Sequence, residues 1–268
     1  MFNMSHKFEI SALPGAVAPG DLVGLGTFAM KYGIQAIVTG PDYIEALFAD
    51  RLRLGCVGRY KIICAVDFDR GRNFALSKFR ALPTNALAAD GFDVLLSANR
   101  PDKESYNELK AITQFIREMM DPLKEIRWTL DLRSRSQEDV KSIMPYLVKF
   151  PATYIRTAGA YLSDDAGDVS VETHLKDIEF IRQFVGTPIK IGGGDLNFMT
   201  VTTLAGKAAA FDATAGQIRR ISRAAEEADQ KRYAVGVDMA TKPDQSVKVV
   251  VEAPAVEVVV ENPEGKTP

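Results

Sequence analysis

Eight short apolar runs, each followed by a stretch of helical patterning, fill the chain from Lys7 to about Ala215. They are Phe8 to Leu13, Gln35 to Thr39, Ile62 to Asp67, Phe92 to Leu96, Arg127 to Asp131, Thr153 to Thr157, Pro188 to Gly192 and Ala208 to Ala213. Most carry Ile, Val or Leu on both faces, as strands do when helices cover them on both sides. Alternation of this kind builds a parallel sheet, and eight strand-helix repeats is the count of a single (β/α)8 TIM barrel, an α/β fold. A doubly wound open sheet competes with it. That fold asks for a Gly-rich dinucleotide turn after the first strand, which Ser11-Ala-Leu-Pro-Gly-Ala-Val17 does not supply.

The helical stretches have readable ends. Asp21 to Tyr32 stops at Gly33, and the helix after Pro41 stops near Gly55. Ser136 followed by Asp139 resembles a capping box opening a helix that runs to about Lys149. Further helices are predicted over Phe74 to Leu82, Ser105 to Met120, Val171 to Phe184, Asn197 to Ala205 and Thr214 to Asp229.

After about Gln230 the character changes, so the chain divides into a barrel over 1–229 and a tail over 230–268. In the tail, Val247-Lys-Val-Val-Val-Glu-Ala-Pro is echoed nine residues later by Val256-Glu-Val-Val-Val-Glu-Asn-Pro. Each copy suits one short β-strand closed by proline, and an unpaired strand invites association. Self-association or a protein partner is therefore expected to act through 242–268. The bland alternative is a loosely ordered tail.

The charges exclude some partners. With 33 basic against 35 acidic side chains, no long-range field attracts nucleic acid or an anionic membrane. No apolar stretch approaches the roughly 20 residues a membrane helix needs, and the first ten residues lack an apolar core of signal-peptide type. Two cysteines, Cys56 and Cys64, make neither a disulfide framework nor a metal cluster, so a soluble cytoplasmic protein without metal or cofactor is expected. His6 and His174 read as surface histidines, Arg51 to Arg59 and Arg219-Arg220 as solvated helix faces, and Trp128 as core. Asp164, Asp165 and Asp168 lack the remaining ligands of a calcium loop and read as solvated.

The strands carry motifs as well as periodicity. Ala152-Thr-Tyr-Ile-Arg-Thr-Ala-Gly159 is a strand closed by a glycine, and Pro188-Ile-Lys-Ile-Gly-Gly-Gly194 places a lysine two residues before glycines. Phe92-Asp-Val-Leu-Leu96 sets an aspartate in a strand, Phe68-Asp-Arg-Gly71 follows the third strand, and Phe8-Glu-Ile-Ser-Ala-Leu13 opens the series. In this order they resemble the sixth, seventh, fourth, third and first strand motifs of the deoxyribose-phosphate aldolase family, over about Lys7 to Arg220.

The resemblance implies a carbon-carbon lyase acting on a small aldehyde or sugar phosphate. In that family a strand-six lysine attacks an aldehyde to form a Schiff base, a strand-seven lysine lowers its pKa, and a strand-four aspartate shuttles protons. Carried over, the aspartate is Asp93 and the second lysine is Lys190, but the nucleophile's position holds Arg156. A guanidinium stays protonated and cannot act as an amine nucleophile. Three routes stay open. Lys190 becomes the nucleophile, its pKa depressed by Arg156; or Arg156 holds a substrate anion while Asp93 acts as acid or base; or the barrel is catalytically inactive and serves as a scaffold. For a phosphate, the resemblance implies Gly159, Gly192, Gly193, Gly194 and Thr214, although Asp195, Leu196 and Asp212 replace residues that would favour it.

Overall fold

A computed structural model describes residues 8–13, 22–66, 84–96, 123–130, 136–157, 169–192 and 196–241, with isolated positions from 82 to 132. Eight parallel strands close into one barrel in chain order. They are β1 (Phe8–Ala12), β2 (Ala36–Thr39), β3 (Lys61–Val66), β4 (Gly91–Leu96), β5 (Glu125–Leu130), β6 (Tyr154–Thr157), β7 (Ile189–Gly192) and β8 (Ala210–Asp212). The ring shuts where Phe8 pairs with Phe211 and Glu9 with Asp212, which rules out the open sheet. Each expected run is one of these strands, its ends shifted by one or two residues.

Seven α-helices are described: α1 (Leu25–Tyr32), α2 (Ile44–Arg53), α3 (Thr84–Leu87), α4 (Gln137–Lys149), α5 (Val171–Arg182), α6 (Phe198–Leu204) and α7 (Ala215–Thr241). Gly33 ends α1 in the left-handed conformation, φ 61°, a geometry that costs glycine little, and its N–H bonds the Ala29 carbonyl. The Ser136 hydroxyl caps α4 by accepting the Asp139 N–H at 3.1 Å and donating to the Asp139 carboxylate at 2.7 Å. The short α3 was not expected. The helix expected over Phe74 to Leu82 falls outside the described residues but for its last one, and that over Ser105 to Met120 is described only at scattered helical positions.

The chain divides into two units, Met1–Ala228 and Asp229–Pro268. The first contains the barrel. Of the second, only the end of α7 is described, so the valine-rich repeats lie outside the described residues. The helix expected to end at Asp229 continues to Thr241, since no proline interrupts the chain there before Pro243.

Two cores lie on the two faces of the strands. The outward face, with Ile10, Ile62, Phe92, Val94, Trp128, Ile155, Ile189 and Phe211, packs under the helices in one large cluster. Inside the ring a smaller cluster, Leu13, Ala36, Val38, Ile63 and Ala65, lines β1 to β3. The rest of the lumen is charged. Two polar side chains expected at the surface are in fact inside. His174 on α5 is buried because it shares the inward stripe of Ile178 and Ile181, four and seven residues on. Arg51 on α2 is buried because it reaches the Asp90 carboxylate at 2.6 Å and the Tyr60 carbonyl at 3.2 Å.

Gly91 tests the closeness of the ring. A Cβ there would stand 2.5 Å from the Glu125 carbonyl oxygen and 2.7 Å from Glu125 Cβ, whereas one at Gly186 would meet nothing within 4 Å. Gly91→Ala is expected to lose about 1–3 kcal/mol in denaturant unfolding. Gly186→Ala should stay within about 0.5 kcal/mol of the parent.

Candidate functional site

Because side chains alternate along a strand, every second residue points into the ring. The inward rows are Glu9 and Ser11 on β1, Asp93 on β4, Glu125, Arg127 and Thr129 on β5, Tyr154 and Arg156 on β6, Lys190 on β7 and Asp212 on β8. Going round the ring, the ladder offsets give the stagger of eight residues usual for such barrels, so alternate strands contribute to common layers. One layer comes from the odd strands: Glu9, Ile63, Arg127 and Lys190. The next, one step nearer the C-terminal strand ends, comes from the even strands: Val38, Asp93, Arg156 and Asp212.

In the odd layer, Arg127 holds Glu9 by two parallel bonds of 2.8 and 2.9 Å. β1 and β5 are four strands apart in a ring of eight, so this fork crosses the full width of the lumen. Arg127 Nε also donates to Glu125 at 2.5 Å. Lys190 Nζ donates to Glu9 at 2.5 Å and to Glu125 at 3.3 Å, and lies 3.7 Å from the Tyr154 ring centre. Glu125 and Tyr154 stand toward the N-terminal strand ends, so the Lys190 amine is turned away from the end where barrels of this type place chemistry. Lys61, whose head is half exposed, reaches Glu125 from below at 2.7 Å.

The even layer is built on Arg156. Its guanidinium donates to Asp93 at 2.9 Å and to Ser11 at 3.0 Å, and pairs with Asp212. Ser11 donates to Asp212 at 2.6 Å and Thr129 donates to Asp93. Gly192 makes room for this: a Cβ there would stand 3.2 Å from Arg156 Nε and 2.4 Å from the Thr157 carbonyl oxygen. Asp93, Arg156, Lys190 and Asp212 are all at most 2% exposed.

The electrostatics follow from this packing. Burial pushes the Glu9 carboxyl up, but Arg127 and Lys190 overcome it and hold it below the ordinary value. Burial opposes ionisation of Glu125 too, and Arg127, Lys190 and Lys61 bring it down to about 2. Lys190 moves the other way for an ammonium. Burial lowers its pKa, Arg127 adds to that, and Glu9 and Glu125 only partly compensate. The lowering expected from Arg156 is thus supplied by the protein interior and by Arg127. The Cys64 thiol is pushed up to about 12 by burial and by Asp42, so it remains protonated and inert.

The structure therefore brings Asp93, Arg156 and Lys190 into one lumen. Gly192 is beside them, and Thr214 lies past the end of β8, where its hydroxyl and N–H meet the Gln217 side chain. Gly159, Gly193, Gly194 and Asp195 lie outside the described residues, as do Asp164, Asp165 and Asp168. Asp212 turns to Arg156 and Ser11. Glu125 and Arg127 were missed as site residues, although the alternation Glu125-Ile-Arg-Trp-Thr129 marks one polar face of a strand.

The sequence matches no family model and no curated protein. Solved structures do resemble the chain. QR15, an aldolase, is 17% identical with a TM-score of 0.65, covering 88% of this chain and 99% of its own. A putative deoxyribose-phosphate aldolase from Toxoplasma gondii ME49, in its apo form, is 14% identical at TM-score 0.66, covering 84% of this chain and 95% of its own. The tetrameric deoxyribose phosphate aldolase from Aeropyrum pernix is 15% identical at TM-score 0.66, covering 81% and 88%. At these identities the likeness is one of fold, a (β/α)8 barrel.

Removing the central guanidinium should leave two buried carboxylates facing each other. Arg156→Met is expected to cost about 3–5 kcal/mol in chemical denaturation. Lys141→Met, which breaks an exposed pair with Glu138, should cost less than about 1 kcal/mol. Acid should act through the lower carboxylates. Glu125 has an ordinary value of 4.5 and a folded one of about 2. Its contribution, roughly 3 kcal/mol, is fully present above pH 4.5 and is lost as pH falls through 2. Glu125→Gln should be less stable at neutral pH yet show a shallower fall across that window. An unchanged acid limb in the variant would remove Glu125 from this account.

Proposed function

We propose that this chain descends from the deoxyribose-phosphate aldolases, performs no Schiff-base chemistry, and serves as a structural or partner-binding scaffold. The observation that carries this reading is Arg156, at the position where the covalent mechanism needs an amine, held between Asp93 and Asp212 one layer above Lys190. A guanidinium cannot form an imine, and its two amino groups are engaged by Asp93, Asp212 and Ser11. A substrate anion would have to displace two buried carboxylates to reach it, which argues against Arg156 as an anion holder. The segment 242–268 is the proposed docking element, by strand addition to a second copy or a partner. The tetrameric Aeropyrum aldolase shows that barrels of this fold do assemble. Two buried free thiols, Cys56 and Cys64, suit a reducing cytoplasmic setting.

One observation favours a second reading, a carbon-carbon lyase. Lys190 has a lowered pKa between two carboxylates, which are the surroundings of an amine nucleophile with proton shuttles. There, Lys190 would turn toward the mouth and attack the carbonyl of a small aldehyde or sugar phosphate. Water would leave as the iminium forms; the substrate's β-hydroxyl would then lose its proton as the carbon-carbon bond breaks, releasing one aldehyde and leaving an enamine, and protonation of the enamine carbon with addition of water would return the amine and a second carbonyl product.

Borohydride reduction in the presence of small aldehydes, followed by peptide mass mapping, separates the two. The scaffold reading expects no lumen lysine to be reduced onto an aldehyde, and a substrate-dependent adduct on Lys190 would establish the lyase reading instead. The scaffold reading also expects that removing 242–268 changes the sedimentation profile or partner capture while the barrel stays folded. An unchanged profile together with unchanged capture would count against that tail as the docking element.

A further inference from the structure

Apolar exposure is unevenly spread over the barrel. Among the described residues eight large apolar side chains are exposed, and four of them, Val23, Met30, Leu52 and Val57, belong to α1, α2 or the residues joined to them. These two helices pack side by side. Apolar exposure gathered in one region of a folded domain marks an interaction surface, whereas single scattered residues mean little.

The outward face of α2 says what the surface fits. Its inner side is Ile44, Leu47 and Arg51, and the helical period gathers Glu45, Ala46, Ala49, Leu52 and Arg53 on the opposite, exposed side. That row is symmetric about Ala49. Three residues away on either side stand Ala46 and Leu52, and four away stand Glu45 and Arg53. A small side chain thus mirrors a large one, and an acid mirrors a base. Laid antiparallel on a second copy about a two-fold axis through Ala49, α2 would set Glu45 against the partner's Arg53 and Leu52 over the partner's Ala46. Ala49 would meet the partner's Ala49, and its small side chain lets the backbones come close where the ridges Ala46-Ala49-Leu52 and Glu45-Ala49-Arg53 cross. Arg53 gives one amino group to Asp50 of its own chain at 2.6 Å, yet its side chain is 64% exposed, so its fork can reach a second carboxylate.

We infer that α2 is the centre of a two-fold interface between copies of this chain, with Met30 on α1 and Val57 after α2 widening the apolar area. A charged or apolar patch alone would name no partner. A row complementary to its own reverse names a second copy. A stable dimer takes about 800 Å² from each copy, more than one short helix face supplies, so α1 is part of the contact. The inference goes beyond the scaffold reading and stands apart from it, since it involves neither the lumen nor 242–268.

The test uses the full chain carrying Ala49→Cys, oxidised mildly and read on a non-reducing gel. A cysteine on the axis meets its own counterpart, and the native Cys56 and Cys64 are buried. Ala49→Cys should cross-link into a covalent dimer. Ala46→Cys should not, because the helical rise displaces it roughly 9 Å from its counterpart. Assembly through 242–268 alone would treat the two variants alike. In sedimentation equilibrium, Arg53→Glu should weaken dimerisation about tenfold through two symmetry-related contacts, and adding Glu45→Arg should restore it. Helix stability would move the other way, because the double variant puts a cation at the N-terminus of α2 and an anion at its C-terminus. An Ala49→Cys chain that stays monomeric, or cross-links no better than Ala46→Cys, would overturn the proposal. So would an Arg53→Glu chain that dimerises like the parent, or a double variant no stronger than Arg53→Glu alone.

Discussion

The fork from Arg127 to Glu9 is the interaction on which the inside of this barrel depends. It ties opposite strands across the full width of the ring, and two neighbouring charges are placed by it. Glu125 docks on its Nε and Lys190 on the carboxylate it holds. Charges withdrawn from water in this way are expensive, and their attraction repays the cost only with good geometry and filled hydrogen-bonding positions. The odd layer meets that condition with paired, short contacts. An apolar lining on β1 to β3, Leu13, Ala36, Val38, Ile63 and Ala65, packs beside these charges inside the ring.

Much of the architecture was legible because strands buried on both faces read as continuous apolar runs. The lumen was legible only in part. Asp93, Lys190 and Arg156 were found through motif order, whereas Glu9 stood in the first-strand motif without an assigned role. Glu125 escaped because it precedes the expected run, and Arg127 because a charged residue opening a strand reads as solvated until the strand is known to face other charges. The same bias hid Arg51 and His174. A polar side chain on a helix is read as exposed, yet each shares its helix's inward face. Loop residues such as Gly159, Gly193 and Gly194 were inferred from a motif alone, and no strand register bears on them.

Fold and chemistry separate in this molecule. Three solved aldolase-type structures share its barrel at identities of 14 to 17%, which is ample for architecture and insufficient for a reaction. Arg156 does more than fill a position in the lumen. Arginine is longer, planar and multiply donating, so it draws Asp93 and Asp212 toward one centre and makes the upper layer a cross-link between alternate strands. A lysine in that position could engage them with only a single ammonium.

The chain's single tryptophan adds an optical consequence. Trp128 stands between Arg127 and Thr129 on β5, but on the opposite face, sealed under α4 with its indole N–H on the Phe150 carbonyl at 2.8 Å. Its fluorescence therefore senses the helix-to-strand seam and not the charged interior. A change in emission would report that the outer wall has loosened, while rearrangements confined to the lumen would leave the signal dark.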